Sequence, residues 1–436
     1  MNEPAKPTIP CKFPWDSAYI SPNGDVRHCC STNLNRIGTL KENTLEEIWN
    51  GPLYQKIRKH VAAGEFDKAF CSPTCEGLRS GEGYPWSPLQ KGAPAMEANQ
   101  RRGEENFRRG AEHADHLPLH LCVEFSDACN FRCVMCLYDF IPPYNSVPKD
   151  GVDQVLKMAK YANRVALMGG EVFANKPDLR FLSEYDPPEG GRMGFITNAS
   201  RLDDAMLEFL TKFKRIDMTI SIDGFTKETF EKIRVRGRFE LVDANIRRMV
   251  AKSHEVAALG HAWNVRLGTV VMRSNLADLA NAVRYAAALG IAVEFGPVKG
   301  FHLIDENIFI YQDTLEATGD WRGHMAAAHK ALEEAPADYA HKDVVARGLN
   351  LIQEYLDRPK MRVYPGLRAA LKRLIRSDKD LGHVFGLYFD WRHEGVPLTT
   401  TVHYATIKVM RRLSRKLALG PKRTLAHAEA DVVPAP

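Results

Sequence analysis

The run Cys129-Asn130-Phe131-Arg132-Cys133-Val134-Met135-Cys136 places three cysteines at C-x3-C-x2-C spacing. A [4Fe–4S] cubane is normally held by four thiolates, so a loop offering three leaves one iron open to an outside ligand. That open iron is the chemical point of such a motif. The same three thiols also suit part of a zinc site, or three unrelated buried positions. What surrounds the loop has to decide between these readings.

The chain has 436 residues, enough for two or three domains, and a net charge of +5 that is small for its length. That balance gives no reason to expect nucleic acid as a partner. No apolar run approaches the roughly 20 residues of a membrane span, and Met1-Asn2-Glu3-Pro4 lacks the apolar core of a signal peptide. The expectation is a cytoplasmic chain, where clustered cysteines serve as metal ligands or catalytic groups rather than disulfides. Eight of the nine cysteines fall in two groups.

The first group is Cys11, Cys29, Cys30, Cys71 and Cys75. The turn Ser21-Pro22-Asn23-Gly24 favours a tight hairpin that folds Cys29 back toward Cys11. Thr44 and Glu47 form a capping box that opens a helix, and a second helical run follows from Leu53 to Val61. This segment has few large apolar residues and calls for a metal or cluster to complete its fold. Structural zinc satisfies that need as well as iron–sulfur does. Residues 81–118, rich in Gly, Pro and charge, read as a linker, with His113 and His116 on a solvated face.

From Leu119 onward short β-rich runs alternate with amphipathic helices, the pattern of βα units on a parallel sheet. Strands are predicted at 119–126, 164–168, 192–197, 215–222, 264–271 and 291–297. Helices are predicted near 150–162, 177–185, 203–213, 226–252 and 276–289. The fold class expected is α/β: a partial (β/α)6 TIM-type barrel, with an open doubly wound sheet as the alternative, a small N-terminal cysteine-rich module and a helical C-terminal extension. In such a barrel the site lies at the C-terminal strand ends. There the chain has Gly169-Gly170-Glu171, Asn198, and Ser221 with Asp223. Cys122 and Glu124 share one face of the first strand. Cys122 is a candidate hydrogen-atom donor or a core thiol. Arg234, Arg236 and Arg238 suit an anion or a solvated face.

These residues resemble the radical S-adenosylmethionine (SAM) superfamily over roughly 119–300. The resemblance implies that Cys129, Cys133 and Cys136 bind the reactive [4Fe–4S] cluster. It also implies that Gly169, Gly170 and Glu171 hold the SAM amino group, and that Asn198, Ser221 and Asp223 contact its ribose and carboxylate. Val172, Ala199 and Met135 depart from the family's usual proline, glycine and aromatic. Cys11, Gly24, Cys29, Ile37-Gly38-Thr39-Leu40, Glu47-Ile48-Trp49-Asn50 and the final C-x3-C are similar to a SPASM auxiliary-cluster module, here ahead of the barrel instead of after it. This implies a second, auxiliary [4Fe–4S] cluster on Cys11, Cys29, Cys71 and Cys75, with Cys30 an alternative to Cys29.

The implied activity is an oxidoreductase-type radical reaction. SAM is cleaved reductively to a 5′-deoxyadenosyl radical, which abstracts hydrogen from a small sugar-like metabolite or from a peptide or protein side chain. An electron donor such as flavodoxin or ferredoxin is implied as well. The rival reading is a non-catalytic interaction protein with structural zinc at the N-terminal cysteines. The expected domains are 1–80, the linker 81–118, the barrel 119–310, a helical extension 311–423 and a disordered tail 424–436. In the extension, helices are predicted near 318–335, 341–357 and 365–377, and Tyr388-Phe389-Asp390-Trp391 reads as core or lid. The basic amphipathic run 400–418 suits packing on its own domain, or weak contact with a membrane surface or partner.

Overall fold

The structure, a computed structural model, describes residues 11–32, 36–73, 75–138, 144–300, 303–363 and 366. The expectations for 365–377 (residue 366 apart), 388–391, 400–418 and the tail fall outside these residues. The strands, in chain order, are β1 (Ser17–Ile20), β2 (Asp25–Arg27), β3 (Gly38–Thr39), β4 (His120–Val123), β5 (Arg132–Cys133), β6 (Arg164–Leu167), β7 (Arg192–Thr197), β8 (Arg215–Ser221), β9 (Arg234–Val235), β10 (Ala262–Val271) and β11 (Ala292–Pro297). Nine of them make one sheet in the order β11-β10-β8-β7-β6-β4-β1-β2-β3. The parallel strands β4, β6, β7, β8, β10 and β11 form the partial barrel, each within three residues of its predicted bounds. Strict alternation builds it. On β8, Ile216, Met218 and Ile220 are buried while Arg215, Asp217, Thr219 and Ser221 turn to the opposite face.

The N-terminal segment does more than precede this sheet. β1 pairs in parallel with β4, setting Tyr19 opposite Cys122, and the β1–β2 hairpin extends the sheet beyond it. The Thr44–Glu47 capping box is present, and the helix Pro52–Ala62 follows. Arg58 stitches the segment together. Its guanidinium donates to the carbonyls of Pro14, Trp49 and Glu112 and lies 4.5 Å over the Trp49 ring. A separate small core of Trp15, Ile57, Val61, Ala69 and Phe107 lies beside it.

Two sequence expectations are corrected. Within the predicted linker, Pro94–Arg109 is a helix of 16 residues whose Met96, Asn99, Gln100, Gly103, Asn106 and Phe107 are buried. Its stripe has helical spacing, but three of its members are amides, which hid it in a polar background. The amides are satisfied: Asn99 donates to Leu117 O at 3.0 Å and Gln100 to Pro88 O at 3.0 Å. His116, expected on a solvated face, is buried and bonded to Trp15 O at 2.7 Å. The second correction concerns 226–252, which is two helices, Lys227–Ile233 and Phe239–Ala257, with β9 between them. β9 pairs antiparallel with β5, so tertiary pairing overrides the helical pattern there.

The sheet runs from residue 17 to residue 297 without a boundary at 80 or 118. We therefore propose the division into 1–80, 81–118 and 119–310 as one of function, two cysteine sites joined by a brace. Truncation to 112–363 uncovers the β4 edge that β1 occupies. The fragment is expected to aggregate or to lose a cooperative thermal transition that the full chain retains. A soluble fragment with its own sharp transition would show the N-terminal strands to be an appendage.

Candidate active site

The cysteine loop is seated on backbone. Gly170 N donates to Ser126 O at 2.9 Å and Glu171 N to Ala128 O at 3.0 Å, so the Gly169-Gly170-Glu171 strap lies against the residues leading into Cys129. A Cβ on Gly170 would stand 1.8 Å from Ala128 O. Gly169, at φ +118, has Ser126 O and the Glu124 side chain just beyond it. The glycines thus admit the cluster loop itself, an approach the sequence reading had assigned to a ligand. Glu171 is buried, and its carboxylate accepts from Thr197 Oγ1 at 2.6 Å and Asn198 N at 2.8 Å. It thereby fixes the end of β7.

Asn198, so fixed, directs its Nδ2 at Asn130 Oδ1, 3.0 Å, and at Cys129 Sγ, 3.9 Å. Ala199, where the family favours glycine, takes the left-handed φ of +60 and is buried. Burial pushes the Cys129 thiol up to about 12 and the Cys133 thiol up to about 11, and raises Cys136 as well. The carboxylate of Glu171 adds to the shift at Cys129, whereas Arg234 opposes it at Cys133. Such thiols are protonated at neutral pH until a metal displaces the protons.

Arg234 is the residue whose place the sequence did not reveal. It is buried opposite Cys133 in the β5–β9 pairing, with Nη1 3.8 Å from Cys133 Sγ and Nη2 2.5 Å from Asp223 Oδ2. Burial works against its charge, but Asp223 and the neighbouring thiols more than offset it. Asp223 is fully buried and also accepts from Val270 N at 2.7 Å. It therefore faces Arg234. Ser221 ends β8 on the inner face of the sheet.

On that inner face Glu124 accepts from the Tyr19 hydroxyl, and Tyr138 is a further partner. Burial raises the Glu124 carboxyl. Arg27 lies 4.5 Å over the Tyr19 ring, and Cys122 sits half-buried across from Tyr19. Tyr19 and Tyr138 had no sequence signal, because only the β1–β4 register brings Tyr19 to the barrel. Deeper in the sheet Asp217 accepts from Arg192 at 2.7 Å and Asn264 at 3.0 Å.

The N-terminal cysteines also converge. Cys11, Cys29, Cys30, Cys71 and Cys75 line one solvent-open cavity, together with the buried His28. Cys29 is half-buried with Cys11 and Cys71 as charge neighbours, whereas Cys30 is exposed. This arrangement favours Cys29 over Cys30. Burial pushes both Cys11 and Cys71 up to about 12. Among the described residues no group of three His, Cys, Asp or Glu side chains is arranged to hold one metal ion. A cubane spreads its ligands over several irons, and a cavity lined by thiols suits it.

Comparison with known proteins settles the family. Residues 123–286 match the model of the radical SAM superfamily, and residues 11–76 match that of SPASM, an iron–sulfur cluster-binding domain. The chain belongs to the radical SAM superfamily. With that membership come a [4Fe–4S] cluster and SAM, and the SPASM-like module brings auxiliary iron–sulfur binding, so the zinc-scaffold reading gives way.

The mycofactocin maturase MftC of Mycobacterium tuberculosis is 31% identical over 196 residues, 43% of this chain and 46% of MftC. The molybdenum cofactor biosynthesis protein moc-5 of Caenorhabditis elegans is 26% identical over 223 residues, 47% of this chain and 34% of moc-5. Among solved structures, Streptococcus suis SuiB bound to its precursor peptide SuiA aligns at a TM-score of 0.36 and 12% identity, covering 58% of this chain and 55% of SuiB. The chain spans about half the length, or less, of the curated relatives it matches.

Gly170→Ala is expected to cost roughly 3 kcal/mol or more, because the clash is with backbone. Gly296→Ala, with nothing within 4 Å of its Cβ, is expected to stay within about 0.5 kcal/mol. Thermal unfolding of the two variants checks this. Arg234→Met strands the buried Asp223 carboxylate and is expected to cost about 3–5 kcal/mol. Adding Asp223→Leu should recover part of that loss in the same assay.

Proposed function

We propose that this protein reductively cleaves SAM and uses the resulting radical to remove hydrogen from a peptide or protein side chain. The observation that carries the reading is the loop of Cys129, Cys133 and Cys136, three half-buried thiols, with Asn198 against Cys129, Arg234 against Cys133 and the Gly169–Glu171 strap beneath. A cluster held there would supply the single electron for reductive cleavage of the SAM carbon–sulfur bond.

Cys129, Cys133 and Cys136 would hold that cluster through their thiolates, three ligands where a cubane takes four. The carbonyls of Gly169 and Gly170, whose other side is taken up by the cysteine loop, would receive the SAM amino group, and Glu171 acts by fixing Asn198. Asn198 and Ser221 suit the ribose and carboxylate, whereas Asp223 is a positioning residue that orients Arg234. Arg234 keeps a positive charge beside Cys133, where electron transfer adds negative charge. Cys122, Glu124, Tyr19 and Tyr138 face the substrate between the two cysteine sites, and Cys122 remains the candidate hydrogen-atom donor. Cys11, Cys29, Cys71 and Cys75 hold the auxiliary cluster.

The peptide reading draws on the likeness to MftC, a maturase. The match to moc-5, which covers as much of this chain, supports a small metabolite as the second reading. Among the described residues no helix is long and apolar enough to cross a membrane.

After anaerobic reconstitution, iron should be about eight per chain and fall to about four in the Cys129/Cys133/Cys136→Ala variant, at about four irons per cubane. That variant should form no 5′-deoxyadenosine. Wild-type rates in it would refute the assignment. To separate the substrate classes, a cell extract is divided by size and added to the enzyme with SAM and dithionite. Stimulation of 5′-deoxyadenosine formation should come from the large fraction and vanish after protease. Stimulation by the small-molecule filtrate alone would favour the metabolite.

A further inference from the structure

The β5–β9 ribbon has two faces. Cys133 and Arg234 point inward to the cluster loop, and the flanking positions of both strands point out. The outward side carries Val134 and Val235, 40% and 41% exposed, and Leu137, three residues on from Val134, is 70% exposed. Large apolar side chains seldom gather in the open without a partner to cover them.

Around this patch stand Arg132, Lys232, Arg236 and Arg238, all exposed. None of the four makes an ion pair among the described residues. Residues 128–138 and 232–238 contain no Asp or Glu, and the nearby carboxylates of Glu231 and Glu240 are held by Lys227 at 2.7 and 2.8 Å. Arg236 adopts a left-handed φ of +73, a backbone that glycine would take without a cost of about 1 kcal/mol.

The geometry points to this face as the docking surface for a small acidic one-electron carrier protein, such as a flavodoxin. The inference rests on the proposed function, in which the Cys129/Cys133/Cys136 cluster must be reduced from outside. The carrier loses one electron and the cluster gains it, across a ribbon one residue thick whose inner face includes Cys133 itself. Charge complementarity selects the occupant. A second copy of this chain would meet the same cations, and the basic run 400–418, with Lys408, Arg411, Arg412, Arg415 and Lys416, would be repelled. An acidic carrier is attracted, and the apolar centre supplies the contact.

The test uses the full reconstituted chain and the variants Arg132→Glu/Arg236→Glu and Leu137→Glu, none of which alters a cluster ligand. 5′-Deoxyadenosine formation from SAM is driven in parallel by dithionite and by a reduced acidic flavodoxin, and binding of oxidised flavodoxin is followed by calorimetry at low and high salt. With dithionite the variants should stay within about twofold of wild type. With flavodoxin the double variant should fall about tenfold or more, bind correspondingly weakly, and lose the salt dependence of wild type. Unchanged flavodoxin-driven rates and binding in the variants would overturn the docking surface. So would a wild type that dithionite reduces and flavodoxin does not, or equal losses with both reductants. Absence of cleavage by wild type with dithionite would instead sink the functional reading, and this inference with it. Tighter flavodoxin binding on removal of 400–436 would show that this chain's own C-terminal segment occupies the face, and would overturn the carrier as its resident partner.

Discussion

Where a side chain on Gly170 would begin, the carbonyl of Ala128 already stands, 1.8 Å from the Cβ position. The rest of the site depends on that approach. It lets the strap after β6 hydrogen-bond the residues leading into Cys129, so the first cysteine is placed by backbone and not by a flexible side chain. The strap in turn sets Glu171, whose carboxylate takes two donors from the end of β7 and so aims Asn198 at Cys129. Two strand ends and the loop are thus locked together by groups that are almost wholly buried. A carboxylate in that position is retained because its donors are present. Burial still raises its pKa, so it remains the least comfortable member of the network.

The parallel pairing of β1 with β4 has a comparable reach on the other side. A partial barrel leaves the edge of its first strand open, and an open edge invites adventitious pairing. Here the N-terminal segment closes it. The same register that closes the edge carries Tyr19 to Glu124, and Cys122 on that face has Cys30 of the N-terminal cavity as a charge neighbour. Stability and the relative placement of the two cysteine sites therefore come from one strand. The module's position ahead of the barrel, a departure from the family's usual order, is accommodated because β1 needs only to lie beside β4 in space.

Much of this was legible in the chain because it depends on local periodicity. The alternation on β8 and the Thr44–Glu47 capping box are properties of neighbouring residues, and both appear where they were read. The cysteine spacing and the strand-end residues were legible for the same reason. The helix Pro94–Arg109 was missed because its buried stripe is half amide, and an amide counts as polar until its partners, Leu117 O and Pro88 O, are known. The roles of the glycines were only half legible. The resemblance gave Gly169 and Gly170 to SAM, but whether a ligand or another stretch of chain lies against them depends on contacts across about 40 residues.

Arg234 shows how a wrong period hides a site. In a helix continuing from 226 to 252, residues 234 and 238 share a face at i, i+4, and a run of arginines there reads as solvated. In the ribbon the period is two, so Arg234 is sorted inward with Cys133 while Val235 goes outward with Arg132. The two assignments differ by far more than geometry. Inward, the guanidinium loses water, and Asp223 at 2.5 Å with Cys133 at 3.8 Å must replace that solvation. Outward, the remaining cations stay hydrated, and nothing in the ribbon neutralises them. One change of period thus separates a positive charge that can act on the cluster from a set of positive charges that can act only on something arriving from solution.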